Sequence, residues 1–565
     1  MNRSAGQLLA DALVEGGIAR FYTVPGESFL EVLEALRANP AAALVSTRHE
    51  SGASFMALAE AALTGRPAVA MATRAPGAAN LAIGVETAWH DSTPLVALIG
   101  HVEQRWYGSD LAFQEIDLEA FYRPFTKWAT TLRSAGDAAV LARRAIEVAT
   151  SGRPGPVMVA MPADVLAELA GDDAVPAPPG AAGAAPGIAP APAAIAELGA
   201  RLAAAARPVM IVGGRTAGHL EGLVRLAEGH GIGVYCAFRR QDRFPNDHAC
   251  YLGHLTIGTD PGLLVPLEEA DVVLALGCRL SEVTTQDFSL PGEAAYFAHV
   301  DAGPSAPGPG RKPDLEVVCD IGGAVSALLA ELAAGCAPDF EGRWAEAHGR
   351  YERHAAPPPP SVLPLVQPSE VAAAICRVLP PYSVIANDAG NFAIPLHRQW
   401  HFNRPFSQLA PTNGAMGYAV PAGVAAALVR PERSVVAVAG DGGYLMTGQE
   451  VETAVRLGVK LVVVVMRNGL YGTIAMHQAR AFGDLAAAGI GEVDLAAHAR
   501  SLGAAGITVT GREQLDDALR EAVGAGGTVV VDVPVDPDAV TPELRLSELQ
   551  AAARRARGGG PAAAR

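Results

Sequence analysis

Residues Ser434–Thr473 read SVVAVAGDGGYLMTGQEVETAVRLGVKLVVVVMRNGLYGT. Two β-branched runs, Ser434–Ala439 and Lys460–Met466, flank a segment with helical spacing, Gln449–Leu457. Thr447, with Glu450 three residues on, forms a capping-box pattern that predicts the helix start, and Gly458 suits its stop. The pattern is a βαβ unit whose strands should lie parallel and buried. Asp441 follows the first strand and Asn468 the second, 27 residues apart (468 − 441). Both oxygen ligands therefore belong to the carboxyl edge of one parallel sheet, where open α/β folds bind ligands.

Gly440, Gly442 and Gly443 let backbone N–H groups approach an anion at that turn. An anion beside a carboxylate needs a cation between them, and hard oxygen ligands beside phosphate favour Mg²⁺. A bare GDG is more often an ordinary strand-to-helix turn with a capping Asp. The spacing to Asn468 within a βαβ pattern reverses those odds.

The rest of the chain repeats the α/β theme. Its 565 residues are half apolar and 18% charged, enough for three domains with buried cores. Residues 1–168 alternate helices (Gly6–Glu15, Ser28–Arg37) with strands (Phe21–Thr23, Ala43–Ser46, Ala68–Ala72, Leu95–Ile99, Val157–Ala160). A Pro/Ala/Gly linker, Pro176–Pro192, separates them from a central block at 195–337, with strands at Val209–Val212, Val234–Ala237, Val272–Ala275 and Tyr296–Val300. A second linker, Ala355–Pro364, precedes the third block at 367–545, and the tail after Leu549 is expected to be disordered. The fold class is α/β: three doubly wound parallel-sheet domains.

A net charge of −16 argues against nucleic acid or an anionic membrane as partner. Six cysteines without CxxC spacing read as reduced core residues. Asp11 and Glu15 interrupt what would be a signal peptide's apolar core, and no run approaches the ~20 residues needed to span a bilayer. A cytoplasmic protein is expected.

GDG followed after this interval by Asn resembles the motif of thiamine diphosphate enzymes, and three α/β blocks joined by two Pro-rich linkers resemble the acetolactate synthase and 2-oxo acid decarboxylase branch. The resemblance covers nearly the whole chain. It implies Mg²⁺ held by Asp441, Asn468 and the carbonyl of Leu470. The family usually has two Asn in succession; here the first is Arg467. In STRHESGASFMALA (Ser46–Ala59), the resemblance makes Glu50 the acid that hydrogen-bonds the cofactor's aminopyrimidine and promotes loss of the thiazolium proton. A helix-capping Glu is the plainer account of Glu50 taken alone.

TRAPGAAN (Thr73–Asn80) resembles the family's GPGATN loop, which makes Asn80 a cofactor contact. AFQEID (Ala112–Asp117) resembles the acetolactate synthase AFQE, which sets Phe113 and Gln114 against the substrate; the alternative is the start of an amphipathic helix. Gly26–Ser28 matches a loop that approaches the thiazolium. NDAGNFA (Asn387–Ala393) makes Gly390, Asn391 and Phe392 diphosphate contacts. In QLAPTNGAMGYA (Gln408–Ala419), Met416 is the apolar residue that holds the cofactor bent, and the Gly414 carbonyl takes its amino group. Tyr471, Gly472 and Thr473 complete the diphosphate site. His90 and His477 are candidate substrate residues, the latter where acetolactate synthases carry Trp; a structural His is the duller account.

FAD, which acetolactate synthases carry in the middle domain, is possible but not favoured: VMIVGGRTAG (Val209–Gly218) lacks the GxGxxG order. FRRQD (Phe238–Asp242) could meet a phosphate but reads better as a solvated turn. The implied activity is decarboxylation of a 2-oxo acid such as pyruvate with carboligation, by a homo-oligomer with active sites between subunits. The alternatives are simple decarboxylation to an aldehyde, a lyase reaction, and a non-catalytic cofactor-binding subunit.

Overall fold

The computed structural model describes residues 3–170, 187–305, 308–332 and 340–558. The chain forms two compact units, Met1–Arg353 with Phe402–Gln408, and His354–His401 with Leu409–Arg565. The first unit contains two sheets and the second contains the third.

The first sheet comprises β1 (Arg20–Thr23), β2 (Ala43–Ser46), β3 (Ala68–Thr73), β4 (Leu95–His101), β5 (Trp128–Thr131) and β6 (Pro156–Pro162), ordered β2-β1-β3-β4-β6-β5. All its pairings are parallel. The central strands β3, β4 and β6 are buried on both faces, as their continuous apolar sequences require. Helices Ala5–Glu15 and Ala138–Thr150 pack on one face through Leu9, Leu13, Ala142 and Ile146.

The central sheet comprises β7 (Pro208–Val212), β8 (Gly233–Cys236), β9 (Tyr251–His254), β10 (Val272–Leu276), β11 (Tyr296–Asp301) and β12 (Leu315–Val318), ordered β12-β11-β10-β7-β8-β9. Read from β9 this is 3-2-1-4-5-6, the winding of dinucleotide-binding sheets.

The third sheet comprises β13 (Val384–Asn387), β14 (Gln408–Leu409), β15 (Val435–Gly440), β16 (Val462–Arg467), β17 (Ala505–Thr508) and β18 (Val529–Pro534), ordered β14-β13-β15-β16-β18-β17. Its winding repeats that of the first sheet strand for strand. Three doubly wound parallel-sheet domains are therefore present. Within the third, β15 and β16 pair in parallel from Val436↔Val462 to Gly440↔Met466, so Asp441 and Asn468 leave the same edge side by side.

Two expectations change, while the Pro176–Pro192 linker lies mostly outside the described residues. The tail is helical from Leu546 to Gly558, tied back by Arg554 to the Gly483 carbonyl and Asp484. The connection after β15 is also not a loop followed by a capped helix. A helix begins at once, Asp441–Thr447, and a second, Glu450–Arg456, follows it. Thr447 caps nothing: its hydroxyl donates to the Gly417 carbonyl (2.7 Å), and Glu450 accepts from Thr453. Gly458 does end the second helix, at φ +65°.

Candidate active site

In the third domain the edge is built around two buried aspartates. Asp441 opens its helix with Oδ1 accepting from Gly442 N–H (3.0 Å) and Oδ2 from Gly469 N–H (2.7 Å), which ties the turn after β15 to the turn after β16. Burial pushes the Asp441 carboxyl above its usual range, against the pull of those two N–H groups. Asn468 Oδ1 accepts from Leu470 N–H (3.0 Å). Leu470 bridges Gly489, with Ile490 N–H donating to Gly469 and Tyr471 N–H to Ala488. In such a pair the N–H and C=O of Leu470 itself point away from the partner segment, toward the Asn468 side.

Asp388, just past β13, is 1% exposed and accepts from Gly417 N–H (3.0 Å) and Tyr418 N–H (3.1 Å). It thereby anchors the turn that carries Gly414 and Met416. Gly443 meets this carboxylate: a Cβ there would stand 2.0 Å from Asp388 Oδ2. Phe392 lies along Gly440, its ring 3.1 Å from where a Cβ would be, and the Tyr471 ring covers Gly442 in the same way at 2.9 Å. Asn391 Oδ1 accepts from the Thr473 hydroxyl (3.0 Å), linking the Gly390–Phe392 loop to the start of helix Gly472–Phe482. Asn391, Phe392, Asp441, Asn468, Tyr471 and Thr473 are thus brought to one edge.

Arg467, beside that edge, is held by the sheet. Its guanidinium grips Asp532 of β18 with Nε 2.9 Å from Oδ1 and Nη2 3.2 Å from Oδ2. The charge that replaces the family's first Asn is neutralised within the sheet.

In the first domain Glu50 is the first residue of helix Glu50–Thr64, after β2. The helix is capped by His49, whose Nδ1 accepts from Ser51 N–H (3.2 Å), so Glu50 is not the cap. Asn80 Nδ2 donates to Glu50 Oε2 (3.0 Å), and Oε1 stands over Gly77, 3.3 Å from where a Cβ would lie. Ser28 Oγ and Thr73 Oγ1 share a 2.6 Å hydrogen bond, so the Gly26–Ser28 loop lies on the end of β3. AFQEID is not a helix start: the segment is a turn, and the next helix begins at Leu118. The Gln114 carbonyl accepts from Ala75 N–H (3.2 Å), and Phe113, 72% exposed, lies 5.8 Å from the Arg74 guanidinium.

Residues 3–121 match the family described as "Thiamine pyrophosphate enzyme, N-terminal TPP binding domain", residues 195–328 its central domain and residues 388–533 its C-terminal TPP binding domain. The chain is 31% identical to the acetolactate synthase of Bacillus subtilis, over 95% of this chain and 93% of that one. It is 29% identical to the probable acetolactate synthase large subunit of Methanocaldococcus jannaschii (95% and 92%) and 28% identical to the catabolic acetolactate synthase of Raoultella terrigena (94% and 94%). The chain belongs to the thiamine diphosphate enzymes. Among them it is similar to the acetolactate synthases over nearly its full length.

The residues present fit the family's cofactor and its metal. Asp441, Asn468 and Leu470, on two neighbouring turns, offer a carboxylate, an amide oxygen and a main-chain carbonyl, which is a hard-oxygen set. No cluster of three His, Cys, Asp or Glu occurs among the described residues, so no all-side-chain cage competes for the ion. A cation at Asp441 would also reverse the effect of burial on its carboxyl.

FAD fits less well. At the switch point of the central sheet, Gly213 N–H donates to the Leu276 carbonyl (2.9 Å), and a Cβ on Gly213 would stand 2.2 Å from the Gly277 oxygen. Asp301, at the end of β11, is 1% exposed and shared by Arg153 and Arg215. FRRQD is not a solvated turn. Gln241 and Asp242 are buried, and Asp242 Oδ2 accepts from Ser407 and Gln408 N–H groups (3.0 and 3.2 Å).

His90 is displaced from the site. It ends helix Arg74–Asp91 at the amino edge of the sheet, before β4 begins, and pairs with Glu86 (2.8 Å). His477 is exposed, on helix Gly472–Phe482 one turn beyond Ile474. Sequence reasoning missed Asp388, although its place directly after an apolar strand and before Ala-Gly was a usable signal.

Proposed function

We propose that the protein decarboxylates pyruvate and joins the two-carbon unit to a second carbonyl compound, with Mg²⁺ anchoring the cofactor. The observation that carries this is the pairing of an acid at one sheet edge with an oxygen-ligand set at another: Glu50 held by Asn80, and Asp441 tied to Gly469 beside Asn468. A subunit without turnover has no use for the acid, and the similarity to acetolactate synthases favours ligation over simple decarboxylation.

Thiamine diphosphate supplies, when bound, the reactive carbon that takes up the electron pair left by CO₂. Glu50 offers its free Oε1 as the acid–base group, oriented through Oε2 by Asn80. Asp441, Asn468 and the Leu470 carbonyl hold the metal; Gly390–Phe392, Gly440, Gly442, Gly443 and Tyr471–Thr473 line the diphosphate. Met416, on a turn fixed by Asp388 and Thr447, would pack against the cofactor. Phe113 dries the pocket and Gln114 offers an amide donor to the acceptor. His477, smaller than Trp, admits a bulkier or more polar acceptor.

The working form is a cytoplasmic homo-oligomer. Exposed apolar side chains near both edges, Leu111 (91%), Phe113 (72%) and Ile474 (52%), support association. No helix among the described residues is long and apolar enough to cross a membrane. FAD is not assigned, since Arg153 and Arg215 already occupy Asp301.

Mass spectrometry of products from a panel of 2-oxo acids tests this reading. The wild type should form an acetohydroxy acid or 2-hydroxyketone from pyruvate, and Gln114→Ala should shift the product toward free aldehyde. Aldehyde alone from the wild type, across added acceptors, would replace ligation by simple decarboxylation.

A further inference from the structure

The central sheet has the strand order of a dinucleotide-binding fold, yet its carboxyl edge is equipped differently. In such folds a helix starts directly after the first strand, and its N-terminus receives the pyrophosphate. Here β7 ends at Val212 and the next α-helix starts only at Leu220, with Glu221 in its first turn. The glycines after β7 and β10, Gly213 and Gly277, donate their N–H groups to the Leu276 and Val300 carbonyls (both 2.9 Å), so both groups are taken up by the sheet.

What the edge does present is positive charge. Arg215, Arg240 and Arg279 stand within four residues of the ends of β7, β8 and β10. Arg215 is matched inside the domain by Asp301, the last residue of β11. Arg240 and Arg279 instead reach the end of one first-domain helix, Arg74–Asp91. Arg240 Nη2 lies 3.0 Å from Asp91 Oδ1, and the two side chains are only 13% and 5% exposed. Arg279 Nη1 donates to the Trp89 carbonyl (2.8 Å), and its guanidinium lies 6.0 Å from the centre of the Trp89 ring. Arg153, before β6, crosses in the opposite direction and donates to Asp301 Oδ2 (2.9 Å) and the Pro304 carbonyl (3.1 Å). The two loops run so close that a Cβ on Gly303 would lie 3.3 Å from Arg153 Cβ.

The sign of these contacts says what the edge selects. A helix C-terminus carries partial negative charge on its last carbonyls, and cations are favoured there. Trp89 and Asp91 belong to the last turn of their helix, so a carbonyl and a carboxylate stand against the arginines where a pyrophosphate would otherwise be drawn. Being part of the same chain, that helix end is held at a high effective concentration, and a free nucleotide would have to displace it.

We propose that the carboxyl edge of the central sheet takes no dinucleotide and is instead the seat of the first-domain helix Arg74–Asp91, held there by Arg240 and Arg279. The seated helix is the one that carries Asn80, the partner of Glu50, about 14 Å along the axis from Trp89. The proposal is independent of the carboligase reading, since neither measurement that tests it involves turnover.

The test uses the full chain. Titration of the wild type with FAD, followed by flavin fluorescence and thermal stability, should show neither saturable quenching nor stabilisation. Arg240→Met and Asp91→Asn each leave a buried charge unmatched. Amide exchange in a peptide spanning 85–92, read by mass spectrometry, should therefore quicken on the order of 10²–10³-fold in either variant. The double variant should fall well short of the two effects combined, because the same pair is broken in both. Asp91→Asn keeps the side chain's shape and stands as the deciding variant if Arg240→Met does not fold. Saturable binding of FAD by the wild type overturns the proposal. Exchange in 85–92 that neither variant changes, or strict additivity in the double variant, overturns the seat.

Discussion

Gly443→Ala tests how the third-domain edge is held. The added Cβ would stand 2.0 Å from Asp388 Oδ2, more than 1 Å inside ordinary contact, and the backbone of helix Asp441–Thr447 leaves it no other direction. The carboxylate has to move, and it is the acceptor for Gly417 N–H at 3.0 Å and Tyr418 N–H at 3.1 Å. Overpacking of this kind costs about 1–3 kcal/mol. Losing a hydrogen bond to a buried charged group costs about 1.5–3 kcal/mol more. Local destabilisation of roughly 2.5–6 kcal/mol follows, which corresponds to amide exchange faster by on the order of 10²-fold or more at Gly417 and Tyr418. Hydrogen exchange followed by mass spectrometry on a peptide spanning 413–420 reads this directly. The control is the double-mutant cycle with Asp388→Ala, which removes the colliding atom. If Gly443→Ala speeds exchange as much in that background as in the wild type, the clash is not the cause and the anchoring role of Asp388 is wrong.

Asp441→Ala should abolish Mg²⁺-dependent binding of thiamine diphosphate; unchanged affinity by calorimetry would sink the ligand assignment. Glu50→Gln should bind cofactor but slow exchange of the proton on its reactive carbon by roughly 10²–10⁴-fold, the usual contribution of a positioned acid–base group, and NMR exchange at the wild-type rate would remove Glu50 from the chemistry. Arg377 grips Asp516 at 2.7 and 3.2 Å and holds its carboxyl below the usual range. A lowered carboxyl pKa contributes stability above the unfolded value and loses it as pH falls through the folded value, so Arg377→Gln should destabilise at pH 7 and match the wild type in stronger acid. A gap in urea stability that persists after Asp516 is protonated would rule that pair out.

The parallel sheets were legible because they rest on local signals. Continuous Val runs such as β15 and β16 can hardly be anything but buried strands, and Asp441 and Asn468 follow them directly. Strands at sheet edges were less legible. β5, β12 and β17 are four residues long and half-exposed, so no apolar run announces them. The central strand β18, VVVDVP, was hidden by Asp532, a charge that looks like a break until Arg467 is seen to pair with it. The Thr447–Glu450 pattern misled because a capping box is recognised by spacing alone, and here a tertiary acceptor, the Gly417 carbonyl, takes the threonine hydroxyl. His90 precedes β4 in the sequence and so stands at that strand's amino end, where it pairs with Glu86.

The first and third sheets wind identically, so their turns correspond one to one. The residue after the third strand is Arg74 in one and Asp441 in the other, and the last residue of the fourth is His101 in one and Arg467 in the other. The same scaffold therefore presents a fixed cation at one copy of the turn and a fixed anion at the other. Polarity toward a ligand is set by single residues at equivalent turns, while the sheets beneath them are interchangeable. The sign of the charge at each edge is a property of its turn, and an exchange at position 74 or 441 would alter it without disturbing a strand.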